Sequence, residues 1–150
     1  MREILFRGKR CDNLDWVEGY LLKECNYETC SWNLGIEYKT DCFGRFAYEV
    51  AEIVPYTIGQ FTGLTDKNGK KIFEGDIIKF HKFRYEPDWV GTVSYDYCSY
   101  IATGRMPLAY EKRIDEDPFY CPFEVALSSI DNGAIEIIGN IYDNPELLEV

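Results

Sequence analysis

The chain carries one histidine and two methionines, and only sixteen basic side chains against twenty-six acidic ones. A single imidazole leaves little room for acid–base or nucleophilic catalysis. His81 alone would have to serve a nucleophile such as Cys98, Cys121 or Ser94, and no nucleophile-elbow sequence accompanies them. The deficit of positive charge argues against a protein that coats nucleic acid by charge alone. No apolar run approaches the roughly 20 residues of a membrane span. The start, Met1 to Arg7, lacks the apolar segment of a secretion signal. Neither a Walker loop nor a dinucleotide fingerprint is present, so no nucleotide cofactor is expected. No internal repeat or low-complexity tract occurs. These absences lead to an expectation of a cytoplasmic globular protein without cofactor, membrane contact or catalytic residues.

What is abundant is aromatic and branched. Twelve Tyr and nine Phe raise the aromatic share to 16%, which favours strands. Strand-like stretches begin at Phe6, Trp16, Ser31 and Phe46, with a polar turn cluster from Asp12 to Asp15. Pro55 interrupts this series because it donates no N–H, which predicts a boundary between an N-terminal β segment, 1–54, and a second part, 55–150. There, Asn68-Gly69 suits a hairpin tip needing positive φ. Ile72–Phe80 reads as a strand bent at Gly75-Asp76, with Val90–Tyr95 as its partner. Residues 104–118 read as a long inserted loop. Phe123–Leu127 and the stretch from Ile130 to Gly139 predict a last hairpin around Asn132-Gly133. Asn144 before Pro145 predicts a closing helical turn.

Six cysteines without a secretion signal read as free thiols. Tetrahedral zinc needs tight ligand pairs, and Cys25-x4-Cys30 with Cys42 further on is the nearest approach. No metal site is assigned. The run Asp115-Glu116-Asp117 could serve carboxylate chemistry with a divalent ion, but three acids in a proline-flanked loop more often face solvent.

Charge is uneven: residues 111–150 hold ten acidic and two basic side chains. Between positions 67 and 84 the balance reverses, with Lys67, Lys70, Lys71, Lys79, Lys82 and Arg84 against two acids. This strip is the candidate nucleic-acid contact, set against its reading as the solvated face of a hairpin.

The stretch Thr57 to Ile78, with Thr62-Gly63-Leu64-Thr65-Asp66-Lys67-Asn68-Gly69-Lys70-Lys71 and Phe73-Glu74-Gly75-Asp76 at its centre, resembles the core motif of the YopX family of phage and prophage proteins. Phe6-Arg7-Gly8-Lys9-Arg10 with Trp16-Val17-Glu18-Gly19-Tyr20, and Gly139-Asn140-Ile141-Tyr142-Asp143-Asn144-Pro145-Glu146-Leu147-Leu148, agree with it in order. The resemblance implies a mainly β protein whose second part is an SH3-like small β-barrel, encoded by a phage or prophage. It transfers no catalytic residue, because the family has no characterised activity. The residues themselves are mostly turn formers and core, which favours a structural role for the motif. The expected function is binding. One form is a self-assembling or protein-binding module using edge strands and aromatics such as Trp16, Trp32 and Trp89, with a homo-oligomer or a host or phage protein as partner. The other is single-stranded nucleic acid held by the basic hairpin. A third reading, mimicry of DNA by the acidic C-terminal part to occupy a host protein, rests on net charge only.

Overall fold

The structure is a computed structural model describing residues 3–26, 31–42, 45–80, 89–96, 99–105, 123–130 and 132–148. It is mainly β, with two antiparallel sheets, and the chain divides into two compact units, Met1–Gly63 and Leu64–Val150. The division falls past the break predicted at Pro55. Pro55–Thr57 is a 3-10 turn, and the strand after it returns to pair within the N-terminal unit. Among the described residues no helix is long and apolar enough to cross a membrane.

The N-terminal unit comprises β1 (Phe6–Lys9), β2 (Trp16–Asn26), β3 (Ser31–Cys42), β4 (Arg45–Glu52) and the start of β5 (Gly59–Thr65). Their order is β4-β3-β2-β1-β5. β1 pairs with β2 from Phe6↔Gly19 to Lys9↔Trp16 and with β5 at Phe6↔Gln60 and Arg7↔Gly59. Alternation along the strands separates two faces. Val17, Ile36, Ala51 and Ile53 form the buried core on one of them, joined by Phe6, Leu21 and Tyr38. Gly19 is required by a close approach: a Cβ there would fall inside the carbonyl oxygen of Glu37. The end of β4 returns to β1 through a single bridge, Arg10↔Ile53. Thr57 secures the same corner, its hydroxyl accepting from Lys9 N–H at 2.9 Å and donating to Val54 O at 2.7 Å.

The C-terminal unit holds the end of β5, β6 (Lys71–Phe73), β7 (Asp76–Phe80), β8 (Trp89–Asp96), β9 (Ser99–Arg105), β10 (Phe123–Ala126) and β11 (Ile135–Asn140). β5 neighbours β6, and a five-stranded sheet runs β10-β9-β8-β7-β11. Among the described residues neither sheet closes, so a complete barrel is not what the strands form. Ile72, Ile78, Phe80, Trp89, Val93, Ala102, Leu127 and Ile135 make the core. Phe80 stacks on Trp89 with centroids 6.5 Å apart.

Two expectations are corrected. β10 and β11 do not form a hairpin: β10 pairs with β9 and β11 with β7. Asn132-Gly133 lies in a 3-10 turn, Asn132–Ala134, that turns the chain between them. The predicted loop from 104 begins inside a strand, since β9 runs to Arg105. The rest of that segment, from 106 to 118, lies outside the described residues. The closing turn is present at Pro145–Leu148.

Candidate functional site

The basic hairpin is built around one buried carboxylate. Asp66 Oδ1 accepts the backbone N–H of Asn68 at 2.8 Å and of Lys70 at 2.9 Å. Its Oδ2 takes the Asn68 side-chain amide at 3.3 Å and the backbone N–H of Ile137 at 3.4 Å. Burial pushes this carboxyl up, but the backbone donors of Lys70, Asn68 and Ile137 together outweigh it and hold the group below the ordinary range. Gly69 supplies the positive φ, +80°, that closes the tip.

The candidate cations are not one patch. Lys67 bonds Glu136 Oε2 at 2.7 Å, and Lys79 lies directly opposite Glu136 across the β7–β11 ladder. One acid from β11 therefore stands between two of the predicted phosphate contacts. Lys70 is exposed at the tip and Lys71 is half-buried on β6. Lys82, Arg84 and His81 lie outside the described residues, as do Asp115-Glu116-Asp117, Cys98 and Cys121.

The second motif forms a corner in the same unit. Asp76, fully buried, accepts the N–H of Phe73 at 2.8 Å and pairs across the ladder with Asn140. Gly75 N–H donates to Val93 O, and Gly75 O accepts from Ile141 N–H, both at 2.9 Å. Asn140 Oδ1 accepts from Tyr142 and Asp143 N–H at 2.9 and 3.0 Å. Asn144 contributes differently from a side-chain cap: its Oδ1 faces Asn140 N–H at 3.4 Å, while its backbone carbonyl accepts Leu147 N–H at 3.1 Å. These acids and amides are spent on backbone.

In the N-terminal unit the third motif forms the β1–β2 pair. Arg7 and Lys9 lie over the ring of Trp16, at 4.8 and 5.5 Å from its centroid. On the opposite face, Arg10 grips Asp12 through two bonds, at 2.9 and 2.6 Å, and donates to Tyr38 Oη at 2.8 Å. Tyr38 donates onward to Glu49 at 2.9 Å. The guanidinium beside it holds the Asp12 carboxyl below its usual value. Exposed Cys11 is pushed up by desolvation and then by the carboxylates of Glu52 and Asp12, which keeps it a thiol rather than a nucleophilic thiolate.

Cys25 pairs opposite Trp32 near the start of β3, and Cys42 stands at its far end. Ten residues of strand, about 33 Å at full extension, separate these positions, so they do not meet at one ion. Cys30 lies outside the described residues. Among the described residues no group of three metal-binding side chains converges.

Of the three tryptophans expected to offer contact surface, Trp89 is instead in the core, 6% exposed, and Trp16 is half-buried beneath its cations. The side chain of Trp32 lies outside the described set. Exposed apolar surface appears elsewhere. Tyr20, Glu37 and Val50 lie opposite one another across β2, β3 and β4, and Tyr48 follows on the same face, opposite Lys39. Tyr20, Tyr48 and Val50 are 52%, 64% and 48% exposed. Period-two alternation in β4 carried this signal, but its meaning depends on β4 being an edge.

The sequence profile described as YopX protein matches residues 5–149. The chain belongs to the YopX family. All three motifs fall within the match, each in a turn, a corner or a strand pair. The chain resembles the crystal structure of protein EF1440 from Enterococcus faecalis, with a TM-score of 0.53 at 21% identity and 99% of each chain covered. That likeness is one of fold. No curated protein matches the sequence.

Proposed function

We propose that this YopX protein works by binding rather than by catalysis, and that its principal mode is self-association through the N-terminal sheet. The observation that carries this reading is the exposed face of β2, β3 and β4, where Tyr20, Tyr48 and Val50 share one surface. Aromatic and branched side chains of this kind supply contact area at low entropy cost. The turn chemistry of the family motifs supports the same reading, because Asp66, Asp76 and Asn140 are committed to backbone partners. A cytoplasmic phage or prophage accessory protein is the setting we infer. An SH3-type character for the C-terminal unit is part of the proposal, supported by a strand order in which the fifth strand returns beside the first.

Light scattering on the purified full chain, with and without single-stranded DNA, is the test. A mass of two or more copies at micromolar concentration is expected. A monomer at high concentration overturns the proposal. DNA binding that vanishes on charge reversal of Lys70 and Lys71 and falls steeply with salt would replace it with the nucleic-acid reading.

A further inference from the structure

The N-terminal sheet ends on β4, and the phase of its ladder identifies which backbone groups are turned outward. Pairs run without a break from Gly35↔Glu52 to Cys42↔Arg45. The adjoining bond from Ile53 N–H to Leu34 O, 2.9 Å, assigns the odd-numbered positions of β4 to the bonds with β3. The even-numbered residues Phe46, Tyr48, Val50 and Glu52 therefore turn N–H and C=O away from β3. Glu52 O already accepts Cys11 N–H at 2.9 Å.

Proteins blunt such edges with proline, lysine, bulges or very short strands. β4 is eight residues long, has no proline or lysine, and pairs with β3 without a bulge. The other edges among the described residues differ. β6 has three residues and β10 four. β11 is irregular between Ile137 and Gly139, and its outer side receives Lys67 N–H on Ile135 O and offers Ile137 N–H to Asp66.

We infer that β4 is a homodimerisation strand, pairing antiparallel with β4 of a second copy about a two-fold axis, with Tyr48 opposite Tyr48. This rests on the self-association reading and gives it a site and a register. Across such an axis, residues opposite one another lie on the same face, so few registers are available. Centring on Glu49 sets two carboxylates side by side. Centring on Val50 calls on Glu52 O, which is engaged. Centring on Ala47 moves Val50 opposite residue 44, beyond the strand. Centring on Tyr48 draws only on the outward groups of Phe46, Tyr48 and Val50. It sets Val50 opposite position 46 of the second copy and Glu49 opposite Ala47, with positions 45 and 49 on its two diagonals. Tyr48 opposite Tyr48 is an aromatic cross-strand pair of the stabilising kind, and the register keeps the two Glu49 carboxylates out of direct opposition.

Two substitutions in the full chain test the register. Val50→Pro removes an N–H that faces away from β3, a position where an edge strand accepts proline. It is expected to weaken the dimer at least tenfold while leaving the circular dichroism spectrum and thermal midpoint nearly unchanged. Tyr48→Cys brings two Cα atoms to about 5.5 Å in a hydrogen-bonded pair, within disulfide range. Oxidation should link the two introduced thiols in a symmetric cross-link located by peptide mapping. Val50→Cys, with its two copies about 13 Å apart along the strands, should not link to itself. A dimer indifferent to Val50→Pro and without the position-48 cross-link overturns the β4 pairing and leaves self-association by another surface. A wild-type monomer at high concentration overturns both.

Discussion

The backbone N–H of Lys67 donates to the carbonyl oxygen of Ile135 at 2.9 Å. This bond joins the tip of the core-motif hairpin to β11, whose next residue, Glu136, takes the Lys67 ammonium. The same tip delivers the Asp66 carboxylate to Ile137 N–H. The core-motif hairpin is thus a fastener between strands distant in the chain.

Replacing Asp66 by Ala should destabilise the C-terminal unit by about 1–3 kcal/mol, because the amides of Asn68 and Lys70 lose their acceptor. Asp66→Asn keeps one carbonyl oxygen and should cost less. Urea unfolding followed by fluorescence measures the difference, and amide exchange at residues 67–70 should rise in both variants.

Acid should release the same fastener. The Asp66 carboxyl is held below its ordinary value, so its stabilisation is complete above the unfolded value of about 3.9. It is lost as pH falls through the folded one. Below about pH 4 the wild type should lose stability more steeply than Asp66→Asn. Parallel slopes in urea titrations between pH 5 and 2 would sink this assignment.

Two glycines should respond differently to alanine. Gly69→Ala meets no atom within 4 Å but forces a left-handed residue, φ +80°, at about 1–2 kcal/mol. Gly19→Ala drives a Cβ into the Glu37 carbonyl and should cost more, since relief requires opening the β2–β3 ladder. Equal unfolding midpoints for the two variants would contradict this order.

Leu14 sits at φ +63° in the β1–β2 turn and is 59% exposed. Asparagine tolerates that conformation better, so Leu14→Asn should stabilise the protein by a few tenths to about 1 kcal/mol. A lowered thermal midpoint would show that Leu14 contributes contacts that outweigh the strain.

Local chemistry was readable where local forces decide. Asn68-Gly69 announced its turn and Pro145 its short 3-10 turn, because each depends on a few adjacent residues. Gly75-Asp76 reads as a bend within one strand over Ile72–Phe80, but the chain turns fully there and divides it into β6 and β7, which belong to different sheets. Long-range pairing was not readable. Asn132-Gly133 has the composition of a hairpin tip, yet β11 takes β7 as partner, and Ile135 faces Phe80. No strand was expected over β9, although Ile101 and Ala102 are buried. The candidate cations show the same limit. Lys67 and Lys79 look like neighbours in a basic strip until Glu136, 69 residues beyond Lys67, comes between them. Tyr48 and Val50 carried their alternation openly, but only topology makes β4 an edge.

If β4 pairs as proposed, the seating of the hairpin tip along β11 would also limit how many molecules can join. With that margin occupied and β6 and β10 short, the described strands would offer a valence of one, at β4. A unit of valence one stops growing after a single addition, whereas two free margins would propagate a ribbon. Asp66, at a turn well away from β4 in sequence, would on these terms be a guard against fibre formation: loosening its hairpin should turn a finite pair into an open-ended polymer.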